Sequence, residues 1–254
     1  RIECHVAEVL APQGHVLLCT SRPAGLDEAR FAAFHKLQLA PLTEAQQQAF
    51  LAARLGAARA AELKPYLRDK VPLDAETQRS VTANPLMLSM VASIAELRAG
   101  IDMPTTTAEL YDVAASAMMS RAAEASDETT SLLRATFFEA HADKQRIITT
   151  THVEAAARRL GKGEAAVATL LDLVLRDRLP LVRLLNAEPL RMQAFHLSFQ
   201  EYYAMRAIGE GGVALHSFGW DVWWANAVLM GVQVGGAAFG DAFVQVAKLP
   251  DAAD

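Results

Sequence analysis

The chain has 254 residues, a formal charge of −5 and 52% apolar residues, with aromatics at only 7%. Abundant alanine with few aromatics favours packed amphipathic helices over an all-β sandwich, and an acidic balance speaks against a general nucleic-acid binder. Cys4 and Cys19 are the only cysteines, which excludes a disulfide framework and a paired-cysteine metal site and suits a reducing, cytoplasmic compartment.

No signal peptide opens the chain; Arg1 is followed by what reads as helix to about residue 13, closed by Gly14, so the sequence is expected to be a fragment of something longer. His15-Val16-Leu17-Leu18-Cys19-Thr20 is a short apolar run of the kind buried on both faces of a parallel sheet, and Phe34 to Leu39 alternates as a second strand. Residues 1–40 are therefore expected to be the C-terminal edge of an α/β domain. Ligands bind such sheets beyond the C-terminal ends of the strands, where Arg22 stands in Ser21-Arg22-Pro23. The bland alternative for Arg22 is a surface arginine in a turn.

Residues 41–103 read as a small helical domain. Thr43-Glu44-Ala45-Gln46 is a capping box that opens a helix to about Leu55, with Gly56 to stop it. Further helices are expected at 57–70, 75–83 and 86–99. Asn84-Pro85-Leu86 begins the last of these, where proline is tolerated because its missing N–H would have no partner anyway.

Residues 104–208 form the third expected domain. Thr106-Thr107-Ala108-Glu109 is another capping box, and Leu110, Val113, Ala114, Ala117 and Met118 follow at helical spacing. Helices at about 128–143, from Thr151 to near Gly161, and at 164–177 precede two short runs, Leu181–Leu185 and Leu190–Phe195. Asn186-Ala187-Glu188-Pro189 between the runs signals a hairpin, with Leu190, Met192 and Ala194 on its core face. Helix, helix, hairpin is the outline of a winged helix.

The hairpin leads into Phe195-His196-Leu197-Ser198-Phe199-Gln200-Glu201-Tyr202-Tyr203-Ala204. Ser198 and Glu201 make an S-x-x-E box, predicting a helix from Ser198, with Leu197 and Tyr202 as its staple. A helix mouth favours an anion, so His196 is placed either to help hold a phosphate or simply as a polar neighbour of the cap. Residues 209–254 read as a linker, Gly209 to Gly212, and the start of a further helical or repeat segment. Residues 222–239 are apolar over a membrane-like length, but Asn226, Gln233 and glycines at 231, 235 and 236 favour a soluble helix.

The chain holds no G-x-x-x-x-G-K-[ST] phosphate loop, no G-x-S-x-G elbow and no H-E-x-x-H, so no autonomous catalytic site is expected. Gly161-Lys162-Gly163 reads as a turn between helices. The order T-S-R-P after an apolar run, then N-P-L at a helix start, then F-H-L-S-F-Q-E-Y-Y-A resembles the NACHT family of STAND-type P-loop NTPases, over about residues 1–208. The resemblance implies a mainly α chain: the end of a nucleotide-binding domain, a small helical domain and a winged-helix domain. It implies that Arg22 faces the terminal phosphate, Pro85 packs on adenine and His196 bonds the β-phosphate of ADP. It also implies an ADP/ATP switch with magnesium in the parent protein, self-oligomerisation on opening, and neither nucleic acid nor membrane as partner. The phosphate loop and magnesium site would lie before Arg1. The alternative from another class is a winged-helix DNA-binding regulator, using Arg158, Arg159, Lys162, Arg176 and Arg178.

Overall fold

In a computed structural model the chain divides into two compact units, Arg1–Pro41 and Leu42–Asp254. The structure describes residues 2–20, 29–74, 78–97, 103–122, 124–215, 219 and 221–248. Helix dominates both the sequence pattern and the fold.

The first unit opens with α1 (Ile2–His5), which widens into a π-helical turn at Val6–Leu10 before Gly14, at φ +80°, ends it. Arg30 donates to the Cys4 sulfur at 2.8 Å and pairs with Glu8, while Phe31 and Phe34 meet edge to face at 5.2 Å. Neither His15–Thr20 nor Phe34–Leu39 forms the strand that their patterns predict. A strand persists only where a neighbour takes its N–H and C=O groups. Among the described residues of this unit no strand stands beside them, and Val16, Leu18, Leu37 and Leu39 are left 88–103% exposed.

The second unit begins as its local signals predict. Thr43 caps α2 (Glu44–Leu55) in a two-way capping box with Gln46, and Gly56 stops it. The helix expected over 57–70 splits at Leu63 into α3 (Ala57–Glu62) and α4 (Lys64–Asp69), with Pro65 in the first turn of the second. Of the helix expected at 75–83, residues 75–77 lie outside the described residues and a single 3-10 turn occupies Val81–Ala83. Asn84 then accepts from the Leu86 N–H at 2.9 Å, opening α5 (Pro85–Leu97). Leu51, Leu88 and Ala92 form a small core between α2 and α5.

The larger core is built around α6 (Thr107–Met119) and α7 (Asp127–Ala142). The Thr106–Glu109 box forms as expected, but the buried face of α6 runs through Leu110, Tyr111, Ala114, Ala115 and Met119 rather than Ala117 and Met118. After α7, Ile148 makes one bridge to Met192; α8 (Thr150–Arg159) and α9 (Glu164–Leu175) follow, joined through Gly161 at φ +64°. Then β1 (Val182–Asn186) pairs antiparallel with β2 (Arg191–Ala194), Leu184 opposite Met192. Met192 and Ala194 face the core, at 0% and 3% exposure.

The expected linker at Gly209 is displaced. Gly209 and Glu210 complete α10 (Leu197–Glu210), and Gly211, at φ +77°, ends it. The last element, α11 (Val222–Ala247), packs on α10 and α6 and is long and apolar enough by length and composition to cross a membrane. It is not one straight rod. Gly236 has φ +51° and ψ −130°, a backbone that L residues rarely adopt, and the chain turns there. Phe239 is thereby returned against Gly231, where an added Cβ would lie 2.1 Å from its ring. The halves on either side of Gly236 would extend only about 21 Å and about 16 Å, each short of the ~30 Å apolar core of a bilayer.

Candidate functional site

The site the sequence singles out lies where β2 meets α10. The Phe195 N–H bonds the Leu181 carbonyl at 2.8 Å, so the hairpin pairing holds the chain up to His196. His196 is extended, at φ −141° and ψ 144°, and is itself the N-cap of α10. This corrects the expected Ser198–Glu201 box: the helix starts one residue earlier, and an imidazole replaces the serine hydroxyl as capping acceptor. Nδ1 of His196 accepts from the Ser198 N–H at 3.3 Å and lies 2.7 Å from the Ser198 hydroxyl. Glu201 instead accepts from the Asn226 side chain at 2.6 Å, binding α10 to α11. Phe195, now in the staple position before the cap, is 54% exposed and staples nothing.

The cap fixes the histidine's chemistry. A nitrogen that accepts from a backbone N–H carries no proton, so the neutral ring of His196 is protonated at Nε2. Nε2–H is a donor, and the imidazole is half-buried at a helix mouth whose partial positive charge favours an anion. Ser198, two residues on, also reaches the phenol of Tyr111. Burial pushes Tyr111 up to about 12, the Ser198 hydrogen bond pulls the other way, and the Glu201 carboxylate adds to the rise.

Pro85 occupies the first position of α5, exposed, as helix-start geometry allows. Both α5 and α10 pack on α6, so Pro85 and His196 belong to one folded unit. Arg22 lies outside the described residues. The arrangement of all three around one ligand is therefore a reading from the sequence resemblance.

Two polar features escaped the sequence reading. Along α10, the Tyr202 hydroxyl donates to Asp112 at 2.6 Å and accepts from Arg206 at 3.3 Å, and Arg206 also bonds Glu210 at 2.9 Å. Burial, then the bond to Asp112, holds the Tyr202 phenol well above its ordinary value. A neighbouring cavity of about 340 Å³ opens between α7 and the end of α10, lined in part by Asp127, Ser131, Arg134, Arg159 and Glu210. The other feature is His141, fully buried at the end of α7 between Trp223 and Trp224. A histidine on the buried stripe that includes Phe137, Phe138 and Ala140 was the only local signal.

The basic residues of the DNA-binding alternative are mostly engaged. Arg159 bonds Glu139 at 2.6 Å, Lys162 bonds Glu128 at 2.9 Å, Arg176 bonds Glu124 at 3.2 Å, and Arg178 reaches Glu124 at 3.6 Å. Among the described residues no three His, Cys, Asp or Glu side chains gather as a metal set. No protein-family model, curated protein or solved structure matches this chain.

Proposed function

We propose that this chain is the distal part of a nucleotide-dependent signalling switch of NACHT type, in which Arg22, Pro85 and His196 help close a site for ADP or ATP. The observation that carries the reading is the mouth of α10. There a hairpin hands a histidine to a helix N-terminus, with Nδ1 accepting from the Ser198 N–H and the ring proton therefore on Nε2. An imidazole N–H beside a helix's partial positive charge suits a phosphate oxygen. The run from α7 through the Ile148 bridge, α8, α9 and the hairpin also has the element order of a winged helix, which supports the domain layout that the resemblance implies.

The phosphate loop and the magnesium ligands would have to come from other residues, since this chain has no phosphate-loop motif and its described residues gather no metal set. In this reading, loss of the His196–phosphate bond on exchange of ADP for ATP frees the winged-helix part to move and exposes surfaces for self-association in the cytoplasm. The DNA-binding reading has less support. The exposed side of α9, which would enter a groove, carries Glu164 and Asp172, and phosphate contact needs the opposite charge.

The test is release of a fluorescent ADP by the protein expressed from its whole gene, comparing the parent with His196→Asn and His196→Ala. Asparagine is a good N-cap but has no Nε2–H, so it separates capping from phosphate binding. A hydrogen bond to a charged group is worth about 1.5–3 kcal/mol, so both variants should release ADP about 10- to 100-fold faster, with a shift to larger assemblies. Parent-like release from His196→Asn would make His196 a cap alone, and a parent that binds no nucleotide would end the reading altogether.

A further inference from the structure

His141 is 0% exposed, and neither of its ring nitrogens has a hydrogen-bond partner. Trp223 stacks on it at 4.9 Å, Trp224 meets it edge-on at 4.5 Å, and the Trp223 indole N–H donates to the His141 carbonyl at 2.9 Å. Both tryptophans lie in the first turn of α11, whose N-cap, Asp221, is bound by Lys144 just beyond α7. The first turn of α11 is thus pinned to the end of α7 through one uncharged imidazole and one adjacent ion pair. A neutral imidazole packs between indoles as an aromatic. A protonated one would carry a charge and two N–H donors into a place that offers them no acceptor, which is costly.

We propose that His141 is a proton-operated latch: the neutral ring holds the first turn of α11 on α7, and its protonation releases that turn while the rest of the bundle stays folded. The charged groups on the surrounding elements do not rescue the buried cation. Asp221 favours it, but Lys144 already neutralises Asp221. Glu139 on α7 is held by Arg159 of α8, His152 of α8 is held by Thr149 and lies near Asp143, and Glu201 of α10 holds Asn226 of α11. Burial outweighs the pull of Asp221 and keeps His141 down at about 3 in the closed state. Once α11 lifts, the ring regains an ordinary value near 6.5. The ratio of open to closed α11 should then rise about 30-fold between pH 7.5 and pH 5, since each unit of pH below 6.5 adds about tenfold.

Hydrogen exchange on the whole chain reads this directly, as protection factors corrected for intrinsic exchange at each pH. Residues 222–235 should lose about 30-fold protection at pH 5, and at both pH values they should exchange through an opening smaller than global unfolding, less protected and less sensitive to urea than residues 107–119. His141→Phe, which stays aromatic and cannot take a proton, should abolish the pH dependence, and His141→Leu provides the same test if phenylalanine packs badly. His152→Gln should leave the dependence in place. The proposal is overturned if the two segments exchange with equal protection and equal urea dependence, if the pH dependence of 222–235 survives in both His141 variants, or if His152→Gln removes it.

Discussion

Gly231→Ala sets two opposed effects against each other, and the structure decides between them. Gly231 lies inside α11, where alanine is favoured over glycine by about 1 kcal/mol on helix propensity alone. An alanine Cβ there would lie 2.1, 2.3 and 2.4 Å from three ring carbons of Phe239, far inside contact distance. The ring cannot simply swing aside: Phe239 is 4% exposed, its own Cβ sits 2.7 Å from where a Cβ on Gly235 would be, and Gly209 of α10 closes another side. The fold-back at Gly236 must open or the ring must leave its slot. Overpacking costs about 1–3 kcal/mol, and losing a buried phenylalanine about as much again. Packing should therefore beat propensity, leaving the variant about 1–5 kcal/mol less stable. Urea unfolding gives the difference. A double-mutant cycle with Phe239→Ala gives its cause, since the penalty of Gly231→Ala should largely vanish once the ring is gone. If Gly231→Ala is as stable as the parent, or more so, the fold-back of α11 onto Gly231 is wrong. A cycle with no coupling would refute it equally.

The remaining predictions are of the same kind. Tyr66→Phe removes a buried hydroxyl that donates to the Pro104 carbonyl at 2.7 Å and should cost about 1–2 kcal/mol in urea unfolding, because that carbonyl is left without its donor. His196→Ala should cost about 1 kcal/mol by loss of the α10 cap while His196→Asn costs little, a pattern that thermal melts can establish. Acid should destabilise the fold before the carboxylates titrate. Burial lowers both His141 and His152, so the unfolded chain takes protons more readily than the folded one. Stability from these groups is complete above about pH 6.5 and drains as pH falls toward the folded values, by up to about 1.4 kcal/mol per unit for each histidine. Urea midpoints between pH 7 and pH 5 test this, and His141→Phe should remove the larger share of the slope, because His141 is the one held far below its ordinary value.

What the sequence determined by itself is whatever closes within a few residues. The Thr43–Gln46 and Thr106–Glu109 boxes each join a side chain to a backbone N–H three residues away, so composition and spacing suffice to place α2 and α6. The hairpin at 182–194 is likewise local, its two runs joined by a short turn. What tertiary structure decided is whatever needs a distant partner. His15–Thr20 has the composition of a buried strand but no neighbouring strand among the described residues, so its apolar side chains stay exposed. The S-x-x-E spacing at Ser198 was genuine, yet Glu201 found Asn226 25 residues on, and the imidazole of His196 took the cap. Nothing near Phe239 in the sequence announces that Gly236 will turn the chain to set its ring on Gly231. Nor does anything near His141 announce two tryptophans 82 and 83 residues later. Burial is a property of the assembled core, and only the assembled core shows which polar groups it has enclosed.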